Sequence, residues 1–217
     1  MVNEKHFFRR LYVAQLIEKD DEVLDTACSG GSFTHRFCVE KATGITAIDI
    51  NEEALALASK NQAHPKIVHS LLDALKESSP LERYDMIILN AGITYFSQEQ
   101  FNTLFEKIVR AMQLDGTFVE TPALRDEVTE DQFNVFYCER VYQVMSAFFA
   151  YNNFKEYTYA LFNSPTKRTE IFWIMSNTPT HIQKNKWREF NNDLEYLSKI
   201  LELATIQYFY HEKKTRH

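Results

Sequence analysis

The stretch from Val23 to Phe33 combines an acid with a run of small residues, a pattern that can hold a ligand against the backbone. Apolar Val23 and Leu24 lead to Asp25, and small residues fill positions 26–31. A strand that passes through such a turn into a helix lets a ligand approach closely and meet free N–H groups. In open α/β sheets these turns lie at the carboxyl ends of the strands. We therefore expect this to be the ligand-binding turn of the chain.

A second acid, Asp49, lies at the end of the apolar strand predicted at 45–50, and Asn51 after this strand is a good N-cap for a helix. A carboxylate in this place can accept both hydroxyl protons of a ribose in charge-assisted hydrogen bonds. A dinucleotide oxidoreductase also needs such an acid, but it needs G-x-G-x-x-G as well. The turn after Asp25 reads A-x-S-x-x-S and has no basic residue for a pyrophosphate. The pattern therefore favours another cofactor over NAD.

Strands and helices alternate around these residues. Apolar runs predict five strands, at residues 23–25, 45–50, 66–69, 84–89 and 117–121. Helices are predicted at residues 3–18, 32–40, 52–61 and 98–112. This alternation is typical of a parallel sheet that is covered by helices on both faces.

The C-terminal half departs from the alternation. An aromatic-rich helix is predicted at 127–150, and two strands at 156–162 and 169–176 are predicted to form an antiparallel hairpin. Apolar residues from Trp187 to Tyr208 repeat in three-four steps, which predicts one long helix. The predicted fold class is therefore α/β: a doubly wound, mostly parallel seven-stranded sheet with a C-terminal antiparallel hairpin and an added long C-terminal helix. The predicted parts are an N-terminal helix at 1–22, a domain at 23–177 and a helical extension at 178–217.

Composition excludes several classes of function. A net charge of −6 argues against a nucleic-acid binder, since phosphate binding needs a basic face. Three cysteines without C-x-x-C spacing indicate reduced thiols, and scattered histidines indicate no metal site. No apolar run approaches about 18 residues, and the first ten residues are too polar for a signal peptide. We expect a cytoplasmic protein without a membrane segment.

The order and spacing of these motifs resemble the class I S-adenosylmethionine-dependent methyltransferases over roughly residues 23–176. In that family the first strand ends in an acid followed by G-x-G-x-G. Asp25 matches the acid, Gly31 matches the last glycine, and the small residues Ala27 and Ser29 stand at the first two. The resemblance implies that these four positions meet the methionine part of S-adenosylmethionine, and that a side chain at position 31 would collide with it.

Other positions of that family have counterparts further along the chain. The resemblance implies that Asp49, with its neighbour Ile50, meets the ribose and that Asp73 and Ala74 meet the adenine edge. It also implies that Asn90, at the end of the fourth strand, lies beside the sulfonium.

The substrate side of that family is often built from the N-terminal helix and the segments after the fourth and fifth strands. Here these contain Tyr12, Tyr95 and Phe96, of which Tyr95 is a candidate base. The implied reaction is methyl transfer to a small-molecule nucleophile, or to a protein. The C-terminal helix is expected either to pack on its own domain or to pair two copies, so that the protein is a monomer or a homodimer.

Three other functions stay open on the sequence. The missing glycines and the long C-terminal helix are compatible with a degenerate methyltransferase-fold protein that acts through partners. An NAD-binding oxidoreductase is a further possibility because of Asp49. Residues 27–31 also fit a relaxed nucleophile elbow, in which Ser29 would be the nucleophile of a hydrolase.

Overall fold

The protein is seen here as a computed structural model. The structure describes residues 10, 13, 14, 16–77, 84–90, 92 and 95–121, and the backbone of three later segments at 156–163, 169–176 and 206–212. The helix predicted at 127–150, and Tyr12, lie outside the described residues.

The five predicted parallel strands are present. They are β1 (Glu22–Thr26), β2 (Gly44–Asp49), β3 (Ile67–Leu71), β4 (Tyr84–Asn90) and β5 (Met112–Thr121). The helical elements between them are a π-helix (Thr34–Cys38), α1 (Glu52–Asn61) and α2 (Gln98–Ala111). Three further strands follow, namely β6 (Glu156–Asn163), β7 (Thr169–Ser176) and β8 (Ile206–Glu212).

The strands form one sheet in the order β3-β2-β1-β4-β5-β7-β6-β8. The pairs from β3 to β5 are parallel, whereas β7 pairs antiparallel with both β5 and β6. The strand order reverses beside β1, which is the topological switch point where such sheets bind ligands. The α/β fold with a doubly wound parallel sheet is confirmed.

Both faces of the parallel sheet are buried. On one face Phe101 and Phe105 of α2 pack in a cluster with Leu24, Ile87 and Phe118 of the central strands. On the other face a second cluster joins strand residues to the N-terminal segment and the π-helix; it includes Val13, Ile17, Phe33, Ile45 and Ile88. Neighbouring residues of one strand enter opposite clusters, as the two-residue period of a strand requires.

The N-terminal segment is helical at residues 10, 13, 14 and 16. Val13 and Ile17 are buried in the second cluster. The Ala14 carbonyl accepts a hydrogen bond of 3.3 Å from the Ile17 N–H and a second one of 3.0 Å from the Lys41 ammonium. The segment is thereby attached to the chain after the π-helix.

The C-terminal prediction is corrected by β8. Within the described residues the sheet has eight strands rather than seven, because Ile206–Glu212 pairs antiparallel with β6. Tyr208 therefore lies in a strand, and the predicted helix from Trp187 does not reach it; residues 177–205 lie outside the described residues. The run from Ile206 to Tyr210 is rich in residues with high strand propensity, and the free edge of β6 offers it hydrogen-bonding partners. The 178–217 extension is thus not purely helical.

No helix in the described part of the chain is long and apolar enough to cross a bilayer.

Candidate functional site

The turn after β1 adopts the left-handed conformation at three alternate residues. Ala27 has φ 62°, Ser29 has φ 51° and Gly31 has φ 69°. Non-glycine residues pay about 1–2 kcal/mol for this conformation, so the surrounding structure must hold it in place. Ala27 and Ser29 therefore keep the left-handed backbone conformation that glycine adopts most easily.

The two glycines of the turn face different surroundings. A Cβ atom at Gly30 would meet no atom within 4 Å, so this residue borders open space. A Cβ atom at Gly31 would lie 3.0 Å from the Cβ atom of Ala58 and 3.0 Å from Nε2 of His69. The expectation that a side chain at position 31 meets the ligand is therefore corrected: it would meet α1 and β3 instead. Gly31 allows close packing beneath the turn, and Gly30 is the residue open to a ligand.

Asp49 holds the turn from the end of β2. Its Oδ2 atom accepts a hydrogen bond of 2.7 Å from the Ser29 N–H, and its Oδ1 atom accepts one of 2.9 Å from the Asn51 N–H. Each carboxylate oxygen has two lone pairs, so both keep a free acceptor position. The Asn51 side chain in turn accepts from the Ala54 N–H and caps α1, which confirms the predicted helix start.

Asp25 lies behind the turn and not on its surface. It has no exposed area, and one of its oxygens accepts a hydrogen bond from the Thr34 hydroxyl of the π-helix. Burial, opposed by the Thr34 bond and assisted by the charge of Asp49, raises the pKa of Asp25 to about 7. Its enclosed carboxylate therefore has no exposed surface with which to contact a ligand.

Arg10 is a residue that the sequence reasoning missed. It is half-buried, and its charge interacts favourably with Asp25 from the N-terminal segment. Its Nε atom is buried without a hydrogen-bond partner within the described residues. No local motif marks Arg10, because only the docking of the N-terminal segment brings it near β1.

Exposed apolar side chains flank Asp49. Ile50 is 68% exposed and Leu71, the last residue of β3, is 55% exposed. Asp49 pairs in register with Leu71, so both side chains lie at the same edge of the sheet. Leu71 was not among the predicted site residues. The sequence could have indicated it, because an apolar residue stands there just after the predicted third strand, two residues before Asp73.

Asp73 and Ala74 are engaged in local structure at this edge. The Asp73 carboxylate accepts a hydrogen bond of 3.0 Å from the Leu75 N–H and lies 3.0 Å from the Lys76 ammonium. The hydrogen bond from Lys76 is the main cause that lowers the pKa of Asp73. Ala74 packs against the cluster that Phe101 and Phe105 of α2 form with the central strands, called here the α2-side cluster. Asp73 thus caps its own turn, and the Leu72 N–H, which donates to the Asp49 carbonyl over 3.0 Å, ties the segment to β2.

The segment after β4 runs beside the turn. Asn90 ends β4 in register with Thr121, and a Cβ atom at Gly92 would lie 3.4 Å from the Ala27 Cβ atom. Tyr95 is 55% exposed, whereas Phe96 packs partly buried against the α2-side cluster. Of the predicted substrate-side pair, Tyr95 is thus open to solvent and Phe96 is a packing residue.

The structure offers little for the hydrolase or for a metal. Within the described residues, no hydrogen bond joins the Ser29 hydroxyl to a histidine, and a serine nucleophile needs such a base. In the same part of the chain, no three His, Cys, Asp or Glu residues are placed to hold a metal ion.

Comparisons with known proteins agree with this geometry. Residues 23–116 match the family model described as Methyltransferase domain. No curated protein matches the sequence. Among solved structures, the chain is similar to the N-methyltransferase NodS from Bradyrhizobium japonicum WM9 in complex with S-adenosyl-L-homocysteine, with a TM-score of 0.65 and 18% identity over 81% of this chain and 87% of that one.

Two further structures share the fold. One is a SAM-dependent methyltransferase from Leishmania major, with a TM-score of 0.65 and 15% identity over 79% of this chain and 70% of that one. The other is the [4+2]-cyclase SpnF, with a TM-score of 0.63 and 13% identity over 80% of this chain and 81% of that one. The family match and the shared fold confirm the resemblance that the motifs indicated. The resemblance to the class I S-adenosylmethionine-dependent methyltransferases is therefore supported by a methyltransferase-domain match at residues 23–116 and by a shared fold.

Proposed function

We propose that this protein transfers the methyl group of S-adenosylmethionine to a small-molecule nucleophile. The observation that carries the proposal is the Asp49 carboxylate, which Ser29 and Asn51 orient from the backbone with bonds of 2.7 and 2.9 Å. Its remaining lone pairs face no donor of the described residues and suit the two hydroxyls of a ribose.

The other residues of the site fit the same cofactor. Gly30 borders open space on the turn, so a ligand can approach the backbone there. The exposed side chains of Ile50 and Leu71 offer an apolar surface for a flat ring beside Asp49. Two carboxylates near the turn, Asp25 and Asp49, repel a pyrophosphate and so disfavour NAD.

The chain's own contribution to the reaction is alignment. The bound cofactor supplies a methyl group that its sulfonium already activates. The left-handed turn at Ala27 and Ser29 orients the ligand, and Asp49 fixes its ribose end, so that the acceptor meets the methyl group in one geometry. Tyr95, exposed after β4, stays a candidate for holding or deprotonating the acceptor.

A small-molecule acceptor agrees with the charge of the chain. The net charge of −6 disfavours RNA and DNA, whose phosphates need a basic surface. NodS, which shares the fold, is named an N-methyltransferase, and amines are therefore the first acceptor class to test.

The first experiment measures binding. Isothermal titration calorimetry with S-adenosylmethionine, S-adenosylhomocysteine and NAD⁺ should give one-site binding for the first two and none for the third. The second experiment incubates the protein with tritiated S-adenosylmethionine and a cell extract, then separates metabolites, proteins and RNA. We expect label among the metabolites; label in the protein or RNA fraction would contradict the small-molecule assignment.

The second candidate is a protein that binds the cofactor and does not transfer its methyl group. Two observations favour it, namely the loss of glycine at Ala27 and Ser29 and the presence of a [4+2]-cyclase among the proteins with this fold. Calorimetric binding without label in any fraction would support this candidate over methyl transfer.

A further inference from the structure

Asp25 is a buried acid whose hydrogen bonding is incomplete. It is fully enclosed, and the Thr34 hydroxyl donates to one of its oxygens. Its other oxygen, Oδ1, is buried and has no hydrogen-bond partner within the described residues. Its neighbours in register, Ala47 on β2 and Ile88 on β4, are apolar and supply no charge. A carboxylate in such a place exerts its charge through a medium of low dielectric constant, where its field reaches further than in water.

Several charged or titratable groups face Asp25. Arg10 of the N-terminal segment attracts its charge, and Asp49 at the end of β2 repels it. The thiols of Cys28 after β1 and of Cys38 in the π-helix also feel it; burial first and then the Asp25 charge raise their pKa, so both stay neutral. The attraction from Arg10 and the repulsion from Asp49 oppose each other. Their contributions to the pKa of Asp25 have opposite directions, so burial is the deciding cause.

The ionisation of Asp25 falls in the range of cellular pH. Burial is the largest cause that brings its pKa to about 7, with the Thr34 bond acting against the shift. The acid is thus neutral at low pH and negative above neutrality.

The turn that faces a ligand starts two residues after Asp25. Two residues span at most about 7 Å, so a ligand on the turn lies on the order of 10 Å from the carboxylate. S-Adenosylmethionine and S-adenosylhomocysteine share their ribose, adenine and amino-acid groups, and they differ in the positive charge of the sulfonium. A negative charge behind the turn therefore attracts the sulfonium of S-adenosylmethionine and has no matching charge to attract in S-adenosylhomocysteine.

We propose that the Asp25 carboxylate selects the positively charged S-adenosylmethionine over its neutral product S-adenosylhomocysteine. This inference rests on the proposed function and adds a residue that determines specificity without touching the ligand. At an effective dielectric constant of about 20 and roughly 10 Å, one charge pair corresponds to a selectivity of roughly tenfold. The selectivity is present when Asp25 is ionised and lost when it is protonated. Inhibition by the product S-adenosylhomocysteine is therefore weakest above neutral pH.

The test measures both dissociation constants by calorimetry from pH 5.5 to 8.5. In the wild type the ratio of the S-adenosylhomocysteine constant to the S-adenosylmethionine constant should rise about tenfold across this range. In Asp25→Asn, which keeps an acceptor for Thr34, the ratio should stay low and flat. In Thr34→Val the midpoint should move to higher pH, because the bond that favours the ionised form is lost.

The matched control is Asp21→Asn. Asp21 is a second acid whose pKa is raised to about 7, chiefly by burial, but it precedes β1 at the opposite edge of the sheet. Its replacement should leave the profile of the ratio as in the wild type. A change in Asp21→Asn equal to that in Asp25→Asn would overturn the assignment.

The outcomes separate this inference from the proposed function. A wild-type ratio that is independent of pH overturns the inference, while binding of both compounds still supports the cofactor. A wild type that binds neither compound overturns the proposed function and the inference together. Should Asp25→Asn fail to fold, Thr34→Val decides, because an unchanged midpoint contradicts the role of Asp25.

Discussion

The Asp49 carboxylate holds the backbone of two neighbouring elements and keeps further acceptor positions. It accepts hydrogen bonds from Ser29 in the turn and from Asn51 at the start of α1, and it keeps acceptor positions for a ligand. A change at this residue must therefore affect the shape of the turn and, under the proposed function, the bonds to the ribose.

We expect Asp49→Ala to weaken S-adenosylhomocysteine binding about thirty- to two-hundredfold. Hydrogen bonds to a charged group contribute about 1.5–3 kcal/mol each, and water replaces part of that contribution. Loss of the two backbone bonds should also lower the free energy of unfolding by about 1–2 kcal/mol. Calorimetry and urea denaturation measure the two effects. Asp115→Ala, which replaces an exposed acid within β5, is the control and should change neither quantity; wild-type affinity in Asp49→Ala would remove Asp49 from the site.

The neighbouring glycines of the turn should respond differently to the same substitution. Gly30→Ala adds a methyl group where no atom lies within 4 Å, so the fold should keep its stability while ligand affinity falls. Gly31→Ala places a Cβ atom 3.0 Å from Ala58 and His69 at φ 69°, so it should cost about 1–3 kcal/mol of stability. Urea denaturation and calorimetry on both variants make the comparison. Equal destabilisation by the two substitutions would show that the turn has a different shape.

At the scale of elements, α2 supports the site through one lysine. The Lys107 ammonium donates to the carbonyl of Leu75 over 2.6 Å and to that of Glu77 over 2.8 Å. These bonds attach the segment after β3, which carries Asp73, to the helix that packs beneath the central strands. The edge beside Asp49 therefore depends on a contact between residues some 30 positions apart.

Lys107→Met should destabilise the protein by about 1–2 kcal/mol, because the half-buried carbonyl of Leu75 and the exposed carbonyl of Glu77 lose a charged donor. It should also weaken cofactor binding by a smaller factor, through loosening of the segment at 72–77. The same substitution at Lys60, exposed on α1, should change stability by no more than about 0.5 kcal/mol. Thermal and urea unfolding of both variants test this. A Lys107→Met protein as stable as Lys60→Met would mean that the bridge contributes nothing.

For the whole molecule, two half-buried or buried acids set how stability depends on pH. The pKa values of Asp25 and Asp21 are raised to about 7, mainly by burial, above their unfolded values near 3.8. Between these values the unfolded chain has released protons that the folded protein still binds. Raising the pH through this window therefore favours unfolding.

The free energy of unfolding should fall as the pH rises from about 5 to 7. His69 opposes this near pH 6, because burial lowers its pKa and its protonation favours the unfolded chain. Because two acids lower the free energy of unfolding over this range and one histidine raises it, the net change is a decrease. Urea denaturation at several pH values measures the slope, and Asp25→Asn and Asp21→Asn should each flatten it. A stability that rises steadily over this range would contradict the buried state of both acids.

Much of the parallel core follows from local sequence pattern. Strands β1, β2 and β4 are short apolar runs bounded by polar or small residues, and such runs are buried wherever helices cover both faces of a sheet. The start of α1 was predictable from Asn51, because an N-cap is a local hydrogen bond. The place of Asp49 beside the turn was predictable, because the carboxyl ends of parallel strands meet at one edge.

The sequence by itself therefore determined where the core strands lie along the chain, where the small-residue turn follows β1 and that an acid ends β2. The tertiary structure alone decided that Gly31 faces α1 and β3, that Asp25 is enclosed beside Arg10, and that Ile206–Glu212 joins β6 as a strand. The physical reason is the range of the interactions. Periodicity and capping act within a few residues, whereas burial, charge pairing and strand pairing depend on partners that only the folded chain brings together.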